Sequence, residues 1–206
     1  MSKVLIIGGG AAGMMAAVAA GENGHEVWLY EKNDRLGRKL FITGKGRCNI
    51  TNAGDMETLF ASVMSNPKFL YSSFYTFTND QVIDFFEELG VRTKIERGNR
   101  VFPLSDHSSD VIAGLKRKME TLGVHICLET EVEKIEEKDG KFQAIVLKGG
   151  QRKTGDACIV ATGGISYPAT GSTGDGYRFA KENGHQITKL YPALVPMEVR
   201  EWYAKE

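Results

Sequence analysis

An α/β fold built around a parallel sheet is predicted by three observations. The apolar run Val4-Leu5-Ile6-Ile7 leads straight into Gly8-Gly9-Gly10-Ala11-Ala12-Gly13. An alanine-rich stretch then continues to Asn23-Gly24. A second apolar run, Val27-Trp28-Leu29-Tyr30, closes on the acid Glu31. Strand, glycine turn, helix, strand and acid, in that order, make the βαβ unit of a dinucleotide-binding domain.

Each part has a physical reason. The unbroken apolar character of Val4 to Ile7 suits a strand covered on both faces of a parallel sheet. Gly8 permits a tight turn, Gly10 lets backbone approach a pyrophosphate, and Gly13 lets the helix pack close to the strand. Ala11, Ala12, Ala16 and Ala17 are small and keep helix and sheet together. The free N–H groups and positive dipole end of the helix favour phosphate. Glu31 stands where an acid would bind ribose hydroxyls, and it would repel a 2′-phosphate. A glycine turn that serves packing alone is the plainer alternative.

Bulk properties narrow the classes. The chain has 206 residues, which suits one domain or one and a fragment. The 26 basic residues balance 26 acidic ones, so no global field argues for nucleic acid or a membrane surface. No apolar stretch is long enough to span a bilayer, and the first strand runs into the glycine turn rather than reading as a signal peptide. Cys48, Cys127 and Cys158 are an odd count without CxxC spacing, which fits a reducing, cytoplasmic setting. Cys127 and Cys158 lie in apolar runs and read as core. The four histidines are scattered, so no metal site is expected.

Further along, Lys32 to Asn52 is polar, basic and glycine-rich, and reads as a long functional loop. A P-loop is excluded there, because Gly37 is too far from Gly44-Lys45 and Gly46 replaces the required Ser or Thr. Thr78 and Gln81 form a capping-box pattern ahead of Val82, Phe85, Phe86 and Leu89 at helical spacing. A second helix is expected from about Ser109 to Leu122. Ser105-Asp106-His107 reads as a turn leading into a helix cap rather than a catalytic triad, whose members meet in space and not in sequence.

From Val124 the period changes to two. Val124, Ile126 and Leu128 read as a strand, followed by Val132–Glu137 and Lys141–Leu147 joined at Asp139-Gly140, a strong hairpin signal. Ala157 to Ala161 reads as another buried strand, ending in Thr162-Gly163-Gly164. Gly171 to Gly176 reads as a turn capped by Asp175 before a helix. An antiparallel meander between the third parallel strand and the next marks a Rossmann-like FAD-binding domain of the glutathione-reductase type.

Four stretches carry a resemblance to one family. They are Gly8 to Gly13, Gly37 to Leu40 with Thr43 to Asn52, Ala161 to Gly164, and Ser166-Tyr167-Pro168 with Gly171 to Gly176. With them the chain resembles the bacterial HI0933-like or BaiN-like NAD(P)/FAD-dependent oxidoreductases. The resemblance implies that Gly8, Gly10, Ala11, Ala12 and Gly13 cradle the FAD pyrophosphate. It implies that Glu31 holds the adenosine ribose, with Lys32 beside it, and that Arg38 and Lys39 line the cofactor. Gly44, Arg47, Cys48 and Asn49 match the loop running toward the flavin. Val132 matches a backbone contact to adenine, and Ala161, Thr162 and Gly163 match a close turn. Family members are about twice as long, so the chain reads as an N-terminal portion. Its expected division is an FAD-binding domain over 1–190, with a helical excursion over about 53–122 and a meander over about 131–155, then the start of a second domain at 191–206.

The activity so implied is FAD-relayed hydride transfer from NAD(P)H, reducing a conjugated C=C bond in a small-molecule substrate or in ribosomal RNA. Amine oxidation, or a non-catalytic dinucleotide-binding fragment, are the alternatives. Cys48 is the one side chain to consider as a proton donor, against simple packing beneath the cofactor.

Overall fold

The computed structural model describes residues 1–192. The expected second-domain start therefore lies outside the described residues from position 193 onward. The opening unit is β1 (Lys3–Ile7), α1 (Ala11–Glu22) and β2 (Glu26–Tyr30). The excursion follows with α2 (Arg38–Ile42), β3 (Thr51–Asn52), α3 (Met56–Ala61), α4 (Tyr71–Thr76), α5 (Asn79–Glu88), β4 (Thr93–Glu96) and β5 (Arg100–Pro103). The chain then returns through α6 (Ser108–Thr121) and β6 (His125–Cys127). It goes on to the meander β7 (Val132–Lys138), β8 (Lys141–Leu147) and β9 (Arg152–Thr154), and closes with β10 (Ala157–Val160) and α7 (Asp175–Glu182).

The central sheet is parallel in the order β10-β1-β2-β6. Period-two alternation sends the side chains of β1 and β2 to two separate cores. Val4, Ile6, Val27 and Leu29 meet Met14 and Val18 of α1 and Val111, Leu115 and Met119 of α6. Leu5, Ile7 and Tyr30 meet Val132, Ile145 and Leu147 of the meander and Phe179 of α7. Both faces are thus covered, as the unbroken apolar run requires. Each fully buried Leu, Ile or Phe contributes about 1.5–3 kcal/mol.

Local signals operate as the sequence indicates at several points. The Thr78 hydroxyl accepts from Gln81 N while the Gln81 side chain accepts from Thr78 N, closing the capping box of α5. Asp139 and Gly140 take φ of 54° and 72° at the β7–β8 hairpin, the conformation a two-residue primed turn needs.

Other expectations are corrected. Lys32 to Asn52 is not one long loop: it holds α2, a 3-10 turn over Thr43–Gly46, and β3. The excursion is not wholly helical, because β4 and β5 form a hairpin that β3 joins as a third strand. Its turn uses Gly98 and Asn99 with φ of 77° and 58°. Asp175 does not cap α7; Gly174 is the cap residue and Asp175 is the first helical position. The cap of α6 is His107, and its side chain makes no capping bond. β10 is not buried: Ile159 and Val160 are 37% and 43% exposed. The reason is position, since β10 pairs with β1 on one side and is the sheet edge on the other among the described residues.

Candidate functional site

The carboxyl ends of β1, β2 and β10 open into one cavity of about 520 Å³. That volume falls in the range of about 300–1,000 Å³ usual for small-molecule and cofactor sites. Its place is where the fold puts ligands, beyond the carboxyl ends of parallel strands at the point where their order reverses.

Close approach explains the glycine turn. Gly8 has φ of +107°, and a Cβ there would lie 2.5 Å from the Ala161 carbonyl oxygen. A Cβ on Gly13 would collide with the Gly8 carbonyl, so α1 can sit against the turn only with glycine there. Gly10 differs, because a Cβ there would meet no protein atom within 4 Å. Gly10 itself lines the cavity with Ala11 and Ala12. No side chain caps the start of α1, so the positive end of that helix is left for an anion.

Glu31 is 7% exposed and belongs to the same wall. Its Oε2 accepts from Gly9 N at 2.6 Å, and its Oε1 accepts from Asn33 N at 2.8 Å and Asn33 Nδ2 at 2.5 Å. Oε1 is thereby filled by two donors, while Oε2 accepts one and retains capacity for a further donor. Arg38 Nη1 in turn donates to Asn33 Oδ1 at 2.8 Å. Lys32 Nζ donates to Thr173 Oγ1 and to Asp175 Oδ2, each at 2.7 Å. Lys39 reaches Ser166 Oγ at 3.3 Å. Val132 lines the cavity from the start of the meander, and Ala161, Thr162 and Gly163 line it from the end of β10.

The structure thus gathers Gly8, Gly10, Ala11, Ala12, Glu31, Lys32, Arg38, Lys39, Val132, Ala161, Thr162 and Gly163 around one space. Gly13 supports it from behind. Gly44, Arg47, Cys48 and Asn49 are not part of that wall, although Thr43 is. Gly44, Arg47 and Asn49 pack instead around the β3–β4–β5 sheet. Arg47 pairs with Glu96 at 2.9 Å and Asp106 at 3.1 Å, and its guanidinium lies 4.0 Å over the Phe102 ring. Gly44 faces Asn49 N and the Phe102 ring. Oriented to donate, the Asn49 amide reaches the carbonyls of Thr51 and Val101 at 3.1 Å. Cys48 is 1% exposed in the core beside α1 and α6. Burial pushes its thiol up, against a partial lowering by the Thr43 hydroxyl. Burial alone carries Cys158 up to about 12.

Sequence reasoning passed over several wall residues. Gly9 and Asn33 hold Glu31, Gly37 starts α2 in a left-handed conformation, and Thr130, Ser172 and Asp175 complete the lining. Asp175 had a signal, since it stands inside a glycine cluster; Asn33 and Thr130 had none.

The chemistry of the wall fits a dinucleotide. Thr162 lines the cavity, while its Oγ1 is itself buried without a hydrogen-bond partner, on the side of Gly176 in α7. Gly10 offers bare backbone, α1 an uncapped positive end, and Glu31 a held carboxylate. Among the described residues no cluster has the make-up of a metal site, and no helix is long and apolar enough to cross a membrane.

Fold and site together define a Rossmann-type dinucleotide-binding domain. Residues 2–192 match the family model described as the HI0933-like protein Rossmann domain, and the chain belongs to that family. It is 34% identical over 205 residues to a 3-dehydro-bile acid delta(4,6)-reductase of Clostridium scindens, covering 98% of this chain and 48% of that protein. It is 30% identical over 203 residues to a ribosomal RNA dihydrouridine synthase of Haemophilus influenzae, covering 97% of this chain and 50% of that one. The chain therefore spans about half the length of these relatives. Among solved structures, the Mycobacterium smegmatis Sdh1 complex in the apo form matches with a TM-score of 0.68 at 22% identity, over 89% of this chain and 39% of that one. The open conformation of a flavocytochrome c3 fumarate reductase matches with a TM-score of 0.62 at 22% identity, over 89% and 40%. These two likenesses concern the fold.

Proposed function

We propose that the cavity binds FAD and that the whole protein is an FAD-dependent oxidoreductase, reducing a conjugated C=C bond with electrons from NAD(P)H. The observation that carries this is one cavity wall that holds the glycine turn together with the Glu31 carboxylate, which the Gly9 amide and Asn33 fix in place. Two relatives bear names that imply reduced or saturated double bonds, one in a bile acid and one in RNA. When bound, FAD supplies the hydride transfer, and the protein supplies position and electrostatics.

On this reading the Gly8–Gly13 turn and the start of α1 hold the pyrophosphate. Glu31 accepts a hydrogen bond from the adenosine ribose, and the Val132 backbone meets the adenine. Ala161, Thr162 and Gly163 bring backbone close to the cofactor, while Arg38 and Lys39 flank it. Residues 1–190 act as the FAD-binding domain, and the chain from 191 begins the next. Cys48 serves packing, because it is buried in the core and off the cavity wall.

A small-molecule substrate is favoured over RNA by one further observation. Three of the six cations in the 32–52 segment are paired with carboxylates: Arg47 with Glu96 and Asp106, Lys32 with Asp175, and Arg35 with Asp34. RNA affinity rests on phosphate contacts from available cations.

Titration of the purified chain with FAD and with NAD, followed by flavin fluorescence and NADH oxidation, tests the assignment. FAD binding with a yellow cofactor that NADH reduces is expected; NAD binding without FAD binding would favour a non-catalytic nucleotide module instead.

A further inference from the structure

On the reading that the cavity holds an adenine dinucleotide, we infer that Asp175 determines specificity: by pairing with Lys32 it keeps the ribose end of the cavity closed to a 2′-phosphate. In this fold an acid at the end of the second strand bonds the ribose 2′-hydroxyl, and a cation nearby accommodates a 2′-phosphate where one is taken. Glu31 is that acid and Lys32 is the cation beside it. Lys32 is not available, however. Its ammonium is 2.7 Å from Asp175 Oδ2 and 2.7 Å from Thr173 Oγ1, and the Thr173 hydroxyl donates to the same carboxylate oxygen at 2.9 Å.

The pair is partly buried, with side-chain exposures of 25% and 24%. Burial pushes the Asp175 carboxyl up, but hydrogen bonds from Lys32 and Thr173 outweigh it and hold the group below the usual carboxylate range. Arg178 lies 3.6 Å from the other Asp175 oxygen. A second contact fixes the two segments together: Asn33 Nδ2 reaches the Thr170 carbonyl at 3.3 Å, and a Cβ on Gly171 would lie 2.6 Å from that amide nitrogen. Swinging Lys32 toward a ligand would leave the partly desolvated carboxylate with only the Thr173 hydroxyl and the longer Arg178 contact, which is costly. Replacing Asp175 by a neutral residue removes that cost and frees the ammonium. Arg38 stays in place in either form, so its effect cancels in a comparison of variants.

The test is calorimetric titration of wild-type protein and Asp175→Asn with ADP-ribose and with 2′-phospho-ADP-ribose. Wild type is expected to prefer ADP-ribose by about tenfold or more, and Asp175→Asn to narrow that ratio by about tenfold. Adding Lys32→Met to Asp175→Asn is expected to restore the preference, which a merely structural role of the pair would not do. Asp175→Ser serves if the asparagine variant does not fold. An unmoved ratio in a folded Asp175 variant, or a narrowed ratio that survives Lys32→Met, overturns the inference while ADP-ribose binding stands. Failure of wild-type protein to bind ADP-ribose at all overturns the nucleotide reading of the cavity, and the inference with it.

Discussion

The Gly9 amide donates to Glu31 Oε2 at 2.6 Å, tying the glycine turn after β1 to the acid at the end of β2. Two sequence features 22 positions apart are thereby one structural unit. Asn33 completes it from the other side. Glu31→Ala leaves the Gly9 N–H without its acceptor, at a cost of about 1.5–3 kcal/mol for a bond to a charged group. The expected outcome is a lower melting temperature together with FAD affinity reduced about ten- to hundredfold, read by thermal melting and titration.

Gly10 and Gly13 separate packing from ligand approach. Gly13→Ala forces a Cβ into the Gly8 carbonyl, and the protein is expected to fold poorly or not at all. Gly10→Ala meets open space, so stability should change by no more than about 1 kcal/mol, the scale of losing a favourable cap residue. Nucleotide binding by Gly10→Ala should nevertheless fall at least about tenfold, because Gly10 lines the cavity and a side chain there hinders close backbone approach to a pyrophosphate. Circular dichroism and calorimetry read the two effects separately.

Cys48 gives a third expectation. It is packed in the core, so Cys48→Ala should cost about 1 kcal/mol of stability through lost packing and leave FAD affinity unchanged. In a full-length relative the matching change should leave turnover unchanged. Loss of turnover with intact FAD binding would reinstate the thiol as a proton donor.

The Arg47–Glu96–Asp106–Lys94 cluster sets an acid limit. Hydrogen bonding to Arg47 lowers Glu96 from 4.5, and hydrogen bonding to Lys94 lowers Asp106 from 3.8. Carboxylates held below their ordinary values add stability that is fully present above those values and is lost as pH falls through the lowered ones. The melting temperature should therefore be insensitive to these groups from pH 7 to about 5 and fall below about pH 4. Glu96→Gln with Asp106→Asn should flatten that acid limb.

Much of this was legible in the sequence, for physical reasons that differ by element. The glycine turn, the capping box and the Asp139-Gly140 hairpin depend on contacts within a few residues, so sequence reports them directly. The excursion hairpin was missed because Thr93 to Glu96 is short and charged, and its signal lay in the Gly98-Asn99 turn. The burial of β10 was misjudged because an apolar run reports propensity, whereas exposure depends on which neighbour lies beyond the sheet edge. In the site, Glu31 and the glycines were readable from spacing. The role of Asn33 and the diversion of Arg47 to Glu96 and Asp106 arise from contacts distant in sequence or from side-chain geometry, which spacing does not encode.

The most direct measurement is a crystal structure of the chain grown with FAD. The expected result is a pyrophosphate at the N-terminus of α1, against Gly8 to Gly13, with the adenosine ribose on Glu31 and the Ala161–Gly163 backbone against the ligand. Side chains filling the cavity that the glycine turn and Glu31 line, or FAD bound away from it, would contradict the assignment.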